Sequence, residues 1–201
     1  MNLWQDTQAQ QLTLREGELW LFEHVLPDAD EVEQALHKTL NWQSGTVRFG
    51  QIERTIPRLQ AWYGDPDAFY AYSGLKLTPQ PWTSRLTDLR TRAESLAGHT
   101  FNSVLCNLYR DGRDSVAWHA DNEAPLGRNP VIASLSLGAT RTFHLKHRQT
   151  GERLKLPLHH NTLLVMKGAL QHHWVHAVLK EPGIQAPRIN LTFRKVNPPR
   201  S

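Results

Sequence analysis

Apolar and polar positions in the second half of this chain alternate in short runs, and turn residues separate the runs. From residue 100 onward the alternation predicts eight strands, over residues 101–109, 116–119, 131–137, 141–147, 153–158, 162–167, 174–178 and 188–195. Short strands at this spacing are typical of a β-sandwich or jelly roll. A doubly wound parallel fold is disfavoured, because no helical period recurs among these strands.

The first hundred residues carry helical patterns as well. One helix opens near residues 27–30 with an aspartate as candidate N-cap, and its apolar face carries Val32, Leu36 and Leu40. A second helix covers residues 82–96 and stops at Gly98. Residues 19–22 form a short strand after an irregular lead-in, and residues 45–72 read as strands and turns. We expect both helices to pack on one of the sheets.

Composition is that of one ordinary globular domain with a real core, since 39% of the 201 residues are hydrophobic and 21% are charged. No apolar run approaches the ~18 residues of a membrane span, and the first residues lack the pattern of a secretory signal. The single cysteine, Cys106, cannot form an internal disulfide, which favours a reducing compartment and a buried structural role.

The net charge of +4 is compatible with a polyanionic partner but does not establish one. The distribution of charge is more informative than its sum. Between Arg141 and Lys155 there are five lysines or arginines and one acid, Glu152. This segment is therefore the part of the chain where a polyanionic partner would be expected to bind.

A histidine and an aspartate lie two residues apart at the end of a predicted strand, in His119-Ala120-Asp121. Residues two apart in a strand point to the same face, so both side chains can bind one ion. Together with one distal histidine they match the ligand set of a non-haem iron site. Spacing does not choose the third ligand among His159, His160, His172, His173 and His176. Taken alone, the motif is explained equally well by a surface histidine beside a solvated aspartate.

The last predicted strand has one apolar face and one polar face. Arg188, Asn190, Thr192 and Arg194 alternate with Ile189, Leu191 and Phe193. A half-exposed strand with a charged outer face is the simple explanation. Arginine is also the preferred group for binding a buried carboxylate through two hydrogen bonds. Asn107 and Tyr109 share one face of another strand, so we expect these side chains to line a polar pocket inside a small barrel.

Taken together, these motifs resemble the AlkB family of nucleic-acid dealkylating dioxygenases, and within it the animal nuclear members that repair double-stranded DNA. The resemblance lies in Asn107-x-Tyr109-x-x-Gly112, His119-x-Asp121-x-Glu123, His176 and Arg188-x-Asn190-Leu191-Thr192-Phe193-Arg194. It continues upstream through Arg48-Phe49-Gly50, Tyr63-Gly64-Asp65 and Tyr70-x-Tyr72-Ser73-Gly74, so it covers roughly residues 40–196.

The resemblance implies roles for individual residues. It implies that iron(II) is bound by His119, Asp121 and His176. It implies that 2-oxoglutarate is bound by Arg188 and Arg194, with help from Asn107, Tyr109 and Asn190. An extruded base would lie between Tyr72 and His119, with Tyr70 and Glu123 near its edge. The remaining candidate substrate contacts are Arg58, Phe49 as an apolar wedge at a hairpin tip, and Lys146 and Arg148 on phosphates. The alternative for Phe49 is an ordinary phenylalanine of the core.

The resemblance also implies an α+β fold built on a double-stranded β-helix, or jelly roll. We expect one dioxygenase domain over residues 1–201, with an N-terminal extension and nucleotide-recognition lid over about residues 1–100 and the jelly-roll core over about residues 101–196. Flanking helices would lie in the N-terminal part.

The implied reaction is oxidative repair of N-alkylated bases such as 1-methyladenine and 3-methylcytosine in DNA. It needs Fe(II), 2-oxoglutarate and O2, because hydroxylation of the alkyl carbon is coupled to decarboxylation of 2-oxoglutarate. We expect a monomer that binds alkylated DNA and does not bind a membrane. It would be located in the cytoplasm of a prokaryote or in the nucleus of a eukaryote. The alternatives are an RNA demethylase of the same chemistry, a non-enzymatic jelly-roll binding module, and a dioxygenase acting on protein or a small metabolite.

Overall fold

The computed structural model describes residues 8–49, 52–68, 70–72 and 75–197, and it leaves the side chains of residues 47–49, 52–54, 70–72 and 75–77 undescribed. The helices in these ranges are α1 (Ala29–Thr39), α2 (Ser84–Ala97) and α3 (Leu170–His173), with a 3-10 turn at Ala124–Leu126. The strands are β1 (Gln8–Leu14), β2 (Gly17–Glu23), β3 (Gln43–Phe49), β4 (Ile52–Gly64), β5 (Tyr70–Tyr72), β6 (Leu75–Leu77), β7 (Ser103–Tyr109), β8 (Val116–His119), β9 (Ile132–Gly138), β10 (Arg141–His147), β11 (Arg153–Leu158), β12 (Thr162–Lys167), β13 (Trp174–Val178) and β14 (Arg188–Arg194).

Twelve of these strands form two sheets within the described ranges. The major sheet has the order β1-β2-β12-β9-β14-β7-β4-β3, and the minor sheet has the order β11-β10-β13-β8. β5 and β6 pair separately as a short hairpin. Neighbouring strands within each sheet are antiparallel. The architecture confirms the predicted jelly roll, and the eight strands predicted after residue 100 are observed to within two residues at each end.

Strand alternation divides the side chains of the major sheet between two environments. Ile189, Leu191 and Phe193 of β14 belong to the larger hydrophobic cluster, which also contains residues of α1 and α2 such as Leu36 and Leu89. This confirms that the two helices pack on a sheet. The opposite face of β14 carries Arg188, Asn190, Thr192 and Arg194, which line a pocket together with residues of the minor sheet. A second cluster joins residues of the two sheets and includes Phe143, Leu145, Leu164 and Trp174.

The N-terminal residues differ from expectation. Residues 8–14 were expected to be irregular, but they form β1, which pairs with β2 along its whole length from Gln8 opposite Glu23 to Leu14 opposite Gly17. β1 is an edge strand whose residues are mostly exposed, so its sequence lacks the apolar alternation that marks a half-buried strand. Pairing with an existing sheet, and not local pattern, makes this segment a strand.

The helix boundaries show which local signals determine the ends. α2 begins at Ser84, not at Trp82, because the Thr83 hydroxyl accepts a hydrogen bond from the Leu86 amide at 3.2 Å and so caps the helix. Trp82 precedes the helix and donates its indole N–H to Asp65 at 2.8 Å. Gly98 ends α2 in the left-handed region at φ 61°, as predicted. Asp28 is the N-cap of α1 but makes no side-chain capping bond.

Candidate functional site

The predicted metal ligands converge at one end of the minor sheet. His119 is the last residue of β8, Asp121 follows in the next turn, and His176 lies in the middle of β13, directly opposite His119 in the strand register. The ligand atoms of the three residues lie within 4.8 Å of one another. Nε2 of His119 is 3.9 Å from Asp121 Oδ1, and Nε2 of His176 is 4.0 Å from Asp121 Oδ2. These separations allow all three groups to bind a single ion, and two imidazoles with one carboxylate are the donor set of non-haem Fe(II) oxygenases.

A hydrogen bond orients the ring of His119, and burial keeps the ring of His176 neutral. Nδ1 of His119 lies 2.8 Å from the Ala117 carbonyl oxygen. Because a carbonyl can only accept, Nδ1 carries a hydrogen, and Nε2 is the ring nitrogen that faces Asp121. Burial, and secondarily the nearby His119, lower the pKa of His176 to about 3, so its ring is neutral at physiological pH.

Asp121 is a fixed, ionised carboxylate. Burial raises its pKa, but Arg194 and the two histidines more than offset that effect and lower the pKa to about 2. Nη2 of Arg194 donates to both carboxylate oxygens at 3.0 Å. The backbone amide of Asp121 donates to Gln171 Oε1 at 2.9 Å, which fixes the turn that carries the carboxylate. Arg194 was predicted to bind 2-oxoglutarate, and the structure places it directly beside Asp121, a predicted metal ligand.

Arg188 lies deeper in the same pocket, with only 2% of its surface exposed. Its Nη2 donates to Ser136 Oγ at 2.8 Å, and its guanidinium carbon lies 5.1 Å from the centre of the Tyr109 ring. Among the described residues, Nε and Nη1 have no hydrogen-bond partner. Burial lowers the pKa of Arg188, although Tyr109 acts in the opposite direction. A buried guanidinium with unmatched donors is costly unless an anion binds it, so this site suits a carboxylate.

Two amides complete the polar face of the pocket. Oδ1 of Asn107 accepts hydrogen bonds from Arg58 Nε at 2.7 Å and from Gln60 Nε2 at 3.0 Å, so its amide hydrogens remain for other partners. Asn190 donates through Nδ2 to Ser134 Oγ at 2.7 Å and accepts from the Thr192 hydroxyl at 2.8 Å. Both amides are held in fixed orientations.

Nine of the residues with a predicted ligand, cosubstrate or substrate role line this one pocket, together with Thr192. They are Arg58, Asn107, Tyr109, His119, Asp121, His176, Arg188, Asn190 and Arg194. Arg58, predicted to contact substrate, is buried and supports Asn107.

The other predicted substrate contacts lie outside the pocket lining or outside the described side chains. Glu123 is the N-cap of the 3-10 turn that follows Asp121, and Lys146 and Arg148 lie at the end of β10 and in the turn after it. The side chains of Phe49, Tyr70 and Tyr72 lie outside the described residues. The backbone places Phe49 last in β3, paired with Ile52 across the hairpin, and places both tyrosines on β5.

Two of the other candidate ligands, His160 and His173, lie near carboxylates elsewhere in the structure. His147 and His173 both approach Glu16, at 3.0 and 3.1 Å, and His160 approaches Asp30 and Glu33. By distance either group could hold an ion. In each group, however, Nδ1 of one histidine accepts a backbone N–H, from Thr150 in the first and Gly138 in the second. The ring hydrogen of that histidine is therefore on Nε2, which faces the carboxylate. Each group is thus explained by a hydrogen bond between histidine and carboxylate, and not by a set of metal ligands.

Arg141 does not belong to the basic surface to which its sequence position assigned it. It is 1% exposed, donates to the carbonyl oxygens of Asp111, Asp114 and Leu179, and pairs with Glu181 at 3.3 Å. Arg141 therefore holds loops to the minor sheet. The basic residues that remain on the outer side of this hairpin are Lys146, Arg148, Arg153 and Lys155.

Sequence reasoning missed several residues that position the pocket. Ser134 and Ser136 alternate with Ala133 and Leu135 in a buried strand, a polar alternation that could have identified them. Gln171 carries no such signal, because it contacts Asp121 from a short helix 50 residues away.

Comparison with known proteins agrees with this site. The model of the 2OG-Fe(II) oxygenase superfamily matches residues 8–194, and the chain belongs to that superfamily. Within it the chain belongs to the AlkB family, as the motifs predicted. It is 47% identical over 181 residues to human alpha-ketoglutarate-dependent dioxygenase alkB homolog 3, an alignment that covers 85% of this chain and 63% of that protein. It is 38% identical over 180 residues to human DNA oxidative demethylase ALKBH2, covering 84% of this chain and 69% of that protein.

The chain thus spans about 63% of the length of the human alkB homolog 3 relative. A solved structure, "The structure of OsALKBH1", superposes with a TM-score of 0.64 at 17% identity, covering 92% of this chain and 100% of that one, and this supports the fold. Membership of the superfamily implies Fe(II), 2-oxoglutarate and O2 as cofactors. In the described part of the chain, no helix is long and apolar enough to cross a membrane.

Proposed function

We propose that this chain is an Fe(II)- and 2-oxoglutarate-dependent dioxygenase that removes alkyl groups from the ring nitrogens of damaged DNA bases, such as 1-methyladenine and 3-methylcytosine. One observation carries the proposal. The His119, Asp121 and His176 ligand atoms and the unmatched nitrogens of buried Arg188 open onto the same pocket. A metal site alone fits many proteins, but a metal site that shares a pocket with a buried cation fits a carboxylate cosubstrate beside iron. Relatives named as DNA oxidative demethylases support DNA as the substrate.

Each group in the pocket has a role in this proposal. His119, Asp121 and His176 would hold iron(II), which when bound supplies the oxidation of the alkyl carbon by O2, coupled to decarboxylation of 2-oxoglutarate. Arg188 would bind the distal carboxylate of the cosubstrate through Nη1 or Nε, the nitrogens that have no partner among the described residues. Arg194 and Gln171 keep Asp121 ionised and oriented, while Asn107, Tyr109 and Asn190 complete the polar wall around 2-oxoglutarate.

The damaged base would reach this pocket only after leaving its stack, because a base inside a duplex is inaccessible. The side chain of His119 is 21% exposed, whereas those of Asp121 and His176 are only 3–4% exposed. His119 is therefore the ligand with a ring surface available to a base. We propose that Tyr72 covers the other face of the base and that Tyr70, Glu123 and Arg58 contact its edge.

The basic surface of the minor sheet would hold the phosphate backbone. Lys146 of β10 lies opposite Arg153 of β11, and His144 lies opposite Lys155. Trp118, which is 40% exposed, contacts His144 with ring centres 6.3 Å apart. Contacts of this kind position nucleic acid without reading its sequence.

The remaining expectations belong to the same proposal. Residues 1–201 would act as one dioxygenase domain and as a monomer. The N-terminal hundred residues would supply the nucleotide-recognition lid. The enzyme would work where DNA is held, in the cytoplasm of a prokaryote or the nucleus of a eukaryote.

The test is incubation of the protein with Fe(II), ascorbate, 2-oxoglutarate and methylated oligonucleotides, both DNA and RNA, with products read by mass. We expect loss of the methyl group and formation of succinate. Asp121→Ala should give neither, because the site loses its anionic ligand. Product from RNA alone would favour the RNA alternative. Binding of oligonucleotides without succinate formation would instead identify a non-enzymatic binding module.

A further inference from the structure

A second cavity, of about 330 Å³, adjoins the candidate site. We call it the amide cavity, and the residues used below are Asn41, Gln43, Gln60, Trp62, Gln80 and Leu105. Leu105 also lines the candidate site, so the two spaces share a wall. One water needs roughly 10–15 Å³ measured in this way, so the cavity has room for a ligand of many heavy atoms.

A row of amide side chains connects the two spaces. In the major sheet Asn190 of β14 lies opposite Asn107 of β7, Asn107 lies opposite Gln60 of β4, and Gln60 lies opposite Gln43 of β3. Residues directly opposite one another in antiparallel strands project to the same face. The row therefore begins at the proposed 2-oxoglutarate site and continues into the amide cavity. Gln60 joins the two parts through its bond to Asn107.

The lining of the amide cavity selects a neutral ligand with both donors and acceptors. Its described lining contains amides, hydroxyls and apolar groups, and no lysine, arginine, aspartate or glutamate. Asn41 Nδ2 donates to Gln80 Oε1 at 3.4 Å, and each amide keeps further capacity because a primary amide offers two N–H donors and an accepting carbonyl. Trp62 and Leu105 supply an apolar wall. Among the described lining residues a phosphate or a dicarboxylate has no cation to bind, whereas they offer hydrogen bonds to the edge of a nucleobase and apolar contact to its face.

We propose that the amide cavity binds the nucleobase that lies next to the damaged base on the same strand. The inference rests on the proposed function, because it needs a damaged base in the adjoining site. Consecutive bases are joined by the sugar-phosphate chain, and the candidate site and the amide cavity share Leu105, so the cavity is within reach of the base next to the damaged one. The neighbour must itself be unpaired. The cavity therefore favours single strands or locally opened duplexes.

The experiment uses three methylated trinucleotides, one complete, one without the 5′ base and one without the 3′ base. Their binding to the protein loaded with Mn(II) and 2-oxoglutarate is measured by fluorescence anisotropy without oxygen, and demethylation is measured separately with Fe(II). We expect the loss of one particular neighbouring base to weaken binding about tenfold, or ~1.4 kcal/mol, which is within the range that stacking of one base contributes. Gln43→Ala with Gln80→Ala should abolish that difference.

Gln185→Ala is the matched control, because Gln185 is exposed and bonds only locally to the Pro182 carbonyl. It should retain the full dependence on the neighbouring base. Equal binding of all three trinucleotides by the unaltered protein would overturn the inference, as would an undiminished difference in the double variant with an unchanged melting temperature. Neighbour-dependent binding without any demethylation would support the amide cavity but overturn the proposed reaction, so the two failures are distinguishable.

Discussion

Replacing Arg188 with lysine tests the cosubstrate site most directly. The guanidinium uses Nη2 for Ser136 and stacks on Tyr109, which leaves Nε and Nη1 for a carboxylate. Lysine keeps the charge, but its single nitrogen cannot replace the planar fork or reach both partners. The variant therefore loses at least one charge-assisted hydrogen bond to 2-oxoglutarate, while the electrostatic attraction remains.

The expected size of the effect follows from that loss. A hydrogen bond to a charged group contributes about 1.5–3 kcal/mol, and 1.4 kcal/mol is tenfold in affinity. Arg188→Lys should therefore raise the Kd for 2-oxoglutarate about tenfold to a hundredfold. We would measure Kd by calorimetry with the Mn(II)-loaded protein, and KM from succinate formation. Turnover at saturating 2-oxoglutarate should change less, because the metal ligands are unaltered.

Arg141→Lys is the matched control. Arg141 is equally buried and lies 5.4 Å from the same Tyr109 ring, but its donors are used by loop carbonyls and Glu181. Its replacement should lower the melting temperature and leave the Kd for 2-oxoglutarate unchanged. If Arg188→Lys bound 2-oxoglutarate as tightly as the unaltered protein, or if both variants lost affinity equally, the carboxylate site would have to be placed elsewhere.

Three further predictions address the metal and the nucleic acid. His176→Ala should abolish iron binding in a metal titration and turnover in the activity assay, whereas His172→Ala should retain both. The reverse result would assign the third ligand to His172. Phe49→Ala should slow repair of duplex DNA by roughly tenfold to a hundredfold and change single-strand repair much less, because stacking contributes ~1–3 kcal/mol per base; equal losses on both substrates would indicate a folding defect. Exchanging Lys146 and Arg148 for glutamine should reduce the salt dependence of DNA binding by ~0.9 per lost phosphate contact, and an unchanged slope would exclude them from the interface.

Local sequence was sufficient for much of this molecule. Strand alternation repeats every two residues, so the sequence Arg188–Arg194 by itself predicts one apolar face and one polar face, and the structure confirms both. The His-x-Asp spacing also keeps His119 and Asp121 near one another, although Asp121 lies just beyond the end of β8. The stop at Gly98 and the eight core strands also depend on short-range signals. These features share a physical cause, because each is encoded by neighbours in the chain.

Tertiary structure decided everything that depends on which distant strands become neighbours. Spacing could not choose among the distal histidines, whereas the pairing of β13 with β8 brings His176 opposite His119 and leaves His172 and His173 on a short helix. Arg194 donates a hydrogen bond to Asp121, which is 73 residues away in the chain. Arg141 is buried among loop carbonyls although it lies in a basic segment of the sequence. β1 is a strand only because β2 pairs with it. Periodicity determines the face of the strand on which a side chain lies. Sheet order and packing determine which residues that face contacts.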